Sequence, residues 1–322
     1  MYKLKLPGQF PGQLYGILAL AALLAWPVVA QAGQTAFQTD GSGYYAVYRY
    51  AWSDPAGKAQ QLAFKIPRDQ VTQARRTDDG FDLSKAVRKG YEKAVEEARI
   101  SNGRGAQVQV VWNGKNYGLL AAGDPVSQRE ARRIDRVSRR EIEYNLGQYG
   151  YTLENGTQVE TDYTKQARQN FMDLRPLARA IQQQTQGQSM REVMNYTLHF
   201  LQSIPYQTYD PNASANRAVF NSPLTMLSQD KGDCDEKSLA FGTLMRLLYP
   251  NLKVGLVLVP GHAFVAMQIK PEPMDMTLPI NGENYVVAEA VGPAYSDVGA
   301  LDNDSRQRAA ISAHFQEIPS RY

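Results

Sequence analysis

Cys234 is the only cysteine in 322 residues. It stands in the run Gly232-Asp233-Cys234-Asp235-Glu236-Lys237-Ser238, ahead of apolar residues at 240, 241, 244, 247 and 248. That spacing has the helical period, so the thiol falls in or just before a first helical turn. Unpaired N–H groups and the helix dipole favour negative charge at such a place; they make a thiol more acidic and can hold an oxyanion. Asp233, Asp235 and Glu236 would oppose ionisation, so a cationic partner is needed. His262 is the candidate, because Pro260-Gly261 reads as a turn and 262–267 as a strand that brings the imidazole to a helix N-terminus. A third apolar run, 285–291, contains one acid, Glu289. A carboxylate inside a strand costs several kcal/mol unless it is paired. Pairing with His262 would satisfy it, fix the imidazole tautomer and support an imidazolium beside the thiolate.

Taken singly, each residue has a plain structural reading: a small buried hydrophobe for the cysteine, an incidental histidine, an edge-strand glutamate. The other histidines, His199 between Leu198 and Phe200 on a helix and His314 in a helical tail from 303, read as structural. Neither has metal-ligand spacing to Cys234.

The elements that must hold these groups are legible in outline. Residues 44–50 and 61–66 form a hairpin around Ser53-Asp54-Pro55-Ala56-Gly57. A helix spans 83–100, with Val87, Tyr91, Val95 and Ala98 on its apolar face, Asp82 as N-cap and Asn102-Gly103 as its stop. Residues 108–112 and 117–121 flank Asn113-Gly114, a strong hairpin signal. From Asp124-Pro125 to 148 runs a helix whose arginines alternate with acids at spacing three and four, which favours a salt-bridged, solvated face over a basic binding patch. Residues 149–165 read as a loop or weak hairpin. Helices follow at 166–183 and 189–203, the second opened by a Ser189/Glu192 capping box and burying Val193, Thr197, Phe200 and Leu201. Pro205 ends it, and 206–230 is a long loop of the kind that is usually functional.

The blocks Phe200-Leu201-Gln202-Ser203-Ile204-Pro205-Tyr206, Ser222-Pro223-Leu224-Thr225-Met226-Leu227, Lys231 to Ser238 and Val259-Pro260-Gly261-His262-Ala263-Phe264 resemble, in order and spacing, the bacterial and archaeal transglutaminase-like superfamily. The likeness covers about 170–295. It implies a papain-like core whose nucleophile helix packs on an antiparallel sheet; with the small N-terminal unit of two hairpins and one helix read above, the expected fold is α+β. It also implies a triad of Cys234, His262 and Glu289, the family's usual third member being Asp. Gln202 or Tyr206 would complete the oxyanion hole. Asp233 and Asp235 flank the nucleophile as acids do in calcium-dependent periplasmic cysteine proteases of similar fold, so calcium is an option there; the plain reading is that they cap the helix. No other cofactor is implied.

The first 32 residues carry Lys3 and Lys5, an apolar run from Leu14 to Ala30 broken by Pro27, and Ala30-Gln31-Ala32. This is the plan of a secretory signal, with an uncleaved membrane anchor as the alternative, and there is no cysteine for lipid attachment. Without Lys3 and Lys5 the chain carries 33 basic against 32 acidic residues, which gives no electrostatic ground for nucleic acid or anionic membrane. The expected organisation is a signal over 1–32, the small unit over 33–124, a helical linker and loop over 125–165, and the catalytic domain over 166–322. The expected function is a periplasmic or secreted thiol peptidase or amidase acting on protein or peptide, with no integral membrane segment after signal cleavage. A transglutaminase and a silent binding module are the alternatives.

Overall fold

An antiparallel three-stranded sheet opens the described part of the chain: β1 (Gly33–Asp40), β2 (Tyr45–Ser53) and β3 (Ala59–Pro67), in that order. The computed structural model describes residues 33–41, 43–154, 158–208 and 220–320; the expected signal lies outside them, as do 209–219 of the long loop. Then come α1 (Arg68–Gly80), α2 (Leu83–Asn102), the hairpin β4 (Val108–Trp112) and β5 (Tyr117–Ala121), and α3 (Pro125–Gln148). The hairpin β6 (Tyr151–Glu154) and β7 (Gln158–Thr161) leads into α4 (Tyr163–Asn170), α5 (Arg175–Gln184) and α6 (Met190–Ser203). The last third holds α7 (Pro223–Gln229), α8 (Cys234–Leu248), β8 (Val254–Val259), β9 (His262–Met267), β10 (Thr277–Ile280), β11 (Glu283–Ala288), α9 (Asn303–Ile311) and β12 (His314–Glu317).

The fold is α+β. Its central sheet is antiparallel throughout, ordered β10-β11-β9-β8-β12, and α8 lies against β8 and β9. Leu239, Ala240, Phe241, Leu244 and Met245 of α8 are fully buried among Leu256, Val265 and Val286. Each such large side chain contributes about 1.5–3 kcal/mol by leaving water. The N-terminal sheet shares this core. Tyr50 and Trp52 of β2 set their rings 5.0 and 5.4 Å from that of Phe200 on α6, and Tyr50 donates from its hydroxyl to the Leu227 carbonyl. The boundary expected at 124/125 also runs between two helices, α2 and α3, that pack closely against each other.

Several local expectations meet a different outcome. The helix expected over 166–183 is two, because Pro176 starts α5 and cannot continue α4. The buried stripe of α2 is Ala86, Gly90, Ala94 and Ala98, while Val95 is exposed. Small residues win that face because α3 comes so close: a Cβ on Gly90 would meet the Ile142 side chain at 2.4 Å. His314 opens β12 rather than lying on a helix. The long loop contains α7, capped by Ser222 and carrying Pro223 in its first turn. Among the described residues no helix is long and apolar enough to cross a membrane.

Candidate active site

α8 starts at Cys234 because Asp233 and Glu236 close a reciprocal cap. The Asp233 carboxylate accepts from the Glu236 N–H at 3.1 Å, and the Glu236 carboxylate accepts from the Asp233 N–H at 3.2 Å. Cys234 is thus the first residue inside the helix, where backbone N–H groups lack intrahelical partners. Gly232, just before it, is buried with no room for a side chain, since a Cβ there would meet Met226 at 2.4 Å.

His262 reaches the thiol from the sheet. Val259 pairs with His262 across the two-residue turn Pro260-Gly261, where Gly261 takes φ 67°, a conformation glycine adopts at little cost. Arg308 of α9 pins this turn, donating to the Pro260 carbonyl at 2.6 Å. One ring nitrogen of His262, Nε2, lies 2.8 Å from Glu289 Oε2, and the Cys234 side chain is close enough to the imidazole to favour its protonated form. Glu289 follows directly on β11 and is buried. Its carboxylate also accepts from the Ser305 hydroxyl at 3.0 Å and from the Val291 N–H at 3.3 Å. Three donors thus satisfy the charge that burial would otherwise make costly.

Burial pulls the His262 pKa down, but the bonds to Cys234 and Glu289 outweigh it and raise the imidazole to about 10. Lys237, one turn into α8 and fully buried, is pulled down by burial to about 8, with Asp233, Glu236, Asp230 and Glu289 opposing the fall. Burial pushes the Asp233 carboxyl well up, helped by its neighbours Asp235 and Glu236.

An open cleft of about 400 Å3 exposes Cys234 and His262, walled by Thr161, Tyr163, Asp235 and Gln316. The β6–β7 hairpin and the last strand therefore both form its rim. A larger cavity of about 500 Å3 lies by α1 and α4, lined by Asp69, Gln73 and Asp173 among others, with no cysteine or histidine in its lining.

The structure brings Cys234, His262, Glu289 and Tyr206 together: burial first, and then the neighbouring Cys234, push the pKa of the half-exposed Tyr206 hydroxyl up. Gln202 is elsewhere. Its amide nitrogen donates to the Glu289 carbonyl at 2.7 Å and the Ser296 carbonyl at 3.0 Å, so it anchors the 289–296 loop and has no N–H left for an oxyanion. Asp233 and Asp235 serve the start of α8. Their oxygens accept from the Glu236 N–H, and Asp235 also from the Tyr163 hydroxyl. Calcium needs six to eight oxygens, and no cluster of potential metal ligands forms among the described residues. His199 faces Asp297 at 2.8 Å, away from the thiol. Ser305 and Tyr163 join the site through tertiary packing and had no signal in sequence; Lys237 stands one turn from Cys234, but nothing local reveals that it is buried.

No protein-family model matches the chain and no curated protein matches it, so the contacts within the cleft carry the functional reading.

Proposed function

We propose that the protein is an exported thiol hydrolase of the papain-like, transglutaminase-like kind that cleaves peptide or amide bonds. Cys234 is the nucleophile, His262 the acid–base and Glu289 the group that orients the imidazole. The observation that carries this reading is the continuous chain from a helix-start thiol through His262 to a buried, triply bonded glutamate. In the first step Cys234 Sγ bonds to the substrate carbonyl carbon. The oxyanion is met by N–H groups at the start of α8 and by the Tyr206 hydroxyl. The imidazolium of His262 gives its proton to the leaving amine as the C–N bond breaks. Water, deprotonated by His262, then attacks the acyl-enzyme and frees the acid and the thiol.

The test is release of peptides from a denatured protein substrate, in the presence of a dansylated amine, by the protein and by Cys234→Ser. Cys234-dependent peptide release supports hydrolysis. Label incorporated into protein without cleavage would replace it with transamidation, and neither activity would leave a binding module.

A further inference from the structure

The mechanism above does not use Lys237, yet it lies one turn from the nucleophile with no exposed surface. A methionine of similar length would fill the same space without desolvating an ammonium, a replacement that is often neutral or stabilising. What the ammonium does is specific. Its Nζ donates to the carbonyl of Ile204, where α6 ends and the chain turns into Pro205-Tyr206-Gln207. That short strap runs beside the loop leading to the nucleophile. The Gly232 N–H donates to the Pro205 carbonyl at 3.2 Å, and the Gln207 N–H donates to the Gly232 carbonyl at 2.9 Å, a parallel bridge with Tyr206 at its centre. Tyr206 in turn meets the Cys234 thiol. One helix therefore carries the nucleophile at its first position and, three residues on, the group that fixes the strap opposite it.

Resting on the reading of Cys234 as a nucleophile, we propose that Lys237 is a positioning residue, whose bond to the Ile204 carbonyl holds Tyr206 in register with the thiol. The helix that presents the sulfur thereby sets the distance to its own hydroxyl partner. Losing one hydrogen bond to a charged group typically shifts an equilibrium by about tenfold or more.

The test is a double-mutant cycle on the folded, full-length mature protein, read by the rate of iodoacetamide labelling at Cys234 at pH 6. Tyr206→Phe and Lys237→Met should each slow labelling about tenfold, and Lys237→Met in the Tyr206→Phe background should change it less than about twofold. Lys237→Gln, which keeps a shorter donor, should fall between. Circular dichroism confirms the fold of each variant. Full additivity would overturn the proposal, because it would mean that Lys237 acts on the thiolate directly. Collapse of the fold in both Lys237 variants would assign the residue to stability and overturn it too. Labelling needs no substrate, so loss of the hydrolase reading appears as no turnover with the coupling intact, and loss of this inference as turnover with additive effects.

Discussion

Glu289→Gln separates charge from shape at the site. The change keeps the side-chain volume and, with the amide oxygen at the Oε2 position, an acceptor for His262 and Ser305; it gives up the acceptor for the Val291 N–H and removes the negative charge 2.8 Å from His262 Nε2. A hydrogen bond to a charged, buried partner is worth about 1.5–3 kcal/mol, and each 1.36 kcal/mol is tenfold in protonation. The imidazolium preference should therefore fall by about 10- to 100-fold from a state in which His262 holds its proton to about pH 10. The assay is the second-order rate of iodoacetamide labelling from pH 5 to 10, read by intact mass, since one cysteine allows one adduct. An ordinary thiol is only about 0.3% ionised at pH 6, so a thiolate held by an imidazolium stands out there. The parent protein should label at similar rates at pH 6 and 9. The variant should lose about 10- to 100-fold at pH 6 and converge with the parent by pH 9. An unchanged profile would refute the His262–Glu289 argument, and a uniform loss at every pH would show lost access rather than lost charge.

Ser305→Ala, which removes one of three donors to Glu289, should give a milder version of the same profile, about 3- to 10-fold at pH 6; a change equal at all pH values would contradict it. Asp173, raised to about 6 by burial alone, holds its proton more tightly folded than unfolded. Stability therefore falls as pH rises from about 4 through 6, and Asp173→Asn should be about 1 kcal/mol more stable at pH 7.5, discounted for partial exposure, and equal below pH 4. Urea midpoints at the two pH values decide this, and a gain of the same size at both would sink it. Gly90→Ala puts a methyl into Ile142 where α2 crosses α3 and should lower the melting temperature through about 1–3 kcal/mol of overpacking; an unchanged midpoint would show that α3 can retreat.

The legible parts of the chain were those with local causes. The start of α8, the cap at Ser189 and the Pro260-Gly261 turn follow from side chains within a few residues of one another. The His262–Glu289 pairing was also accessible, because a lone acid in an apolar strand needs a partner. Gln202 shows the limit. It is polar and lies upstream of the nucleophile, as an oxyanion donor would, but nothing local reveals that α6 turns it towards Ser296. The face of α2 was misplaced for a related reason: periodicity favours large apolar residues, whereas close helix crossing selects Ala and Gly. The eight-residue β1 and the four-residue β10 carry no fully buried residue to announce them.

The bond between Gln34 and Asp230 has a consequence in time rather than in space. The Gln34 amide donates to both carboxylate oxygens of Asp230, 196 positions later and four before the nucleophile, while the Gly33 N–H reaches Tyr295, 262 positions away. Contacts of such sequence separation form slowly, because a long loop must close before they reward it. β1 can pair with β2 at once, within 20 residues, but its two bonds to the second half of the chain wait until Asp230 and Tyr295 are in place. The surroundings of Cys234, which draw on Glu289 and Ser305, are likewise complete only after distant segments have met, so the site assembles later than the local hairpins.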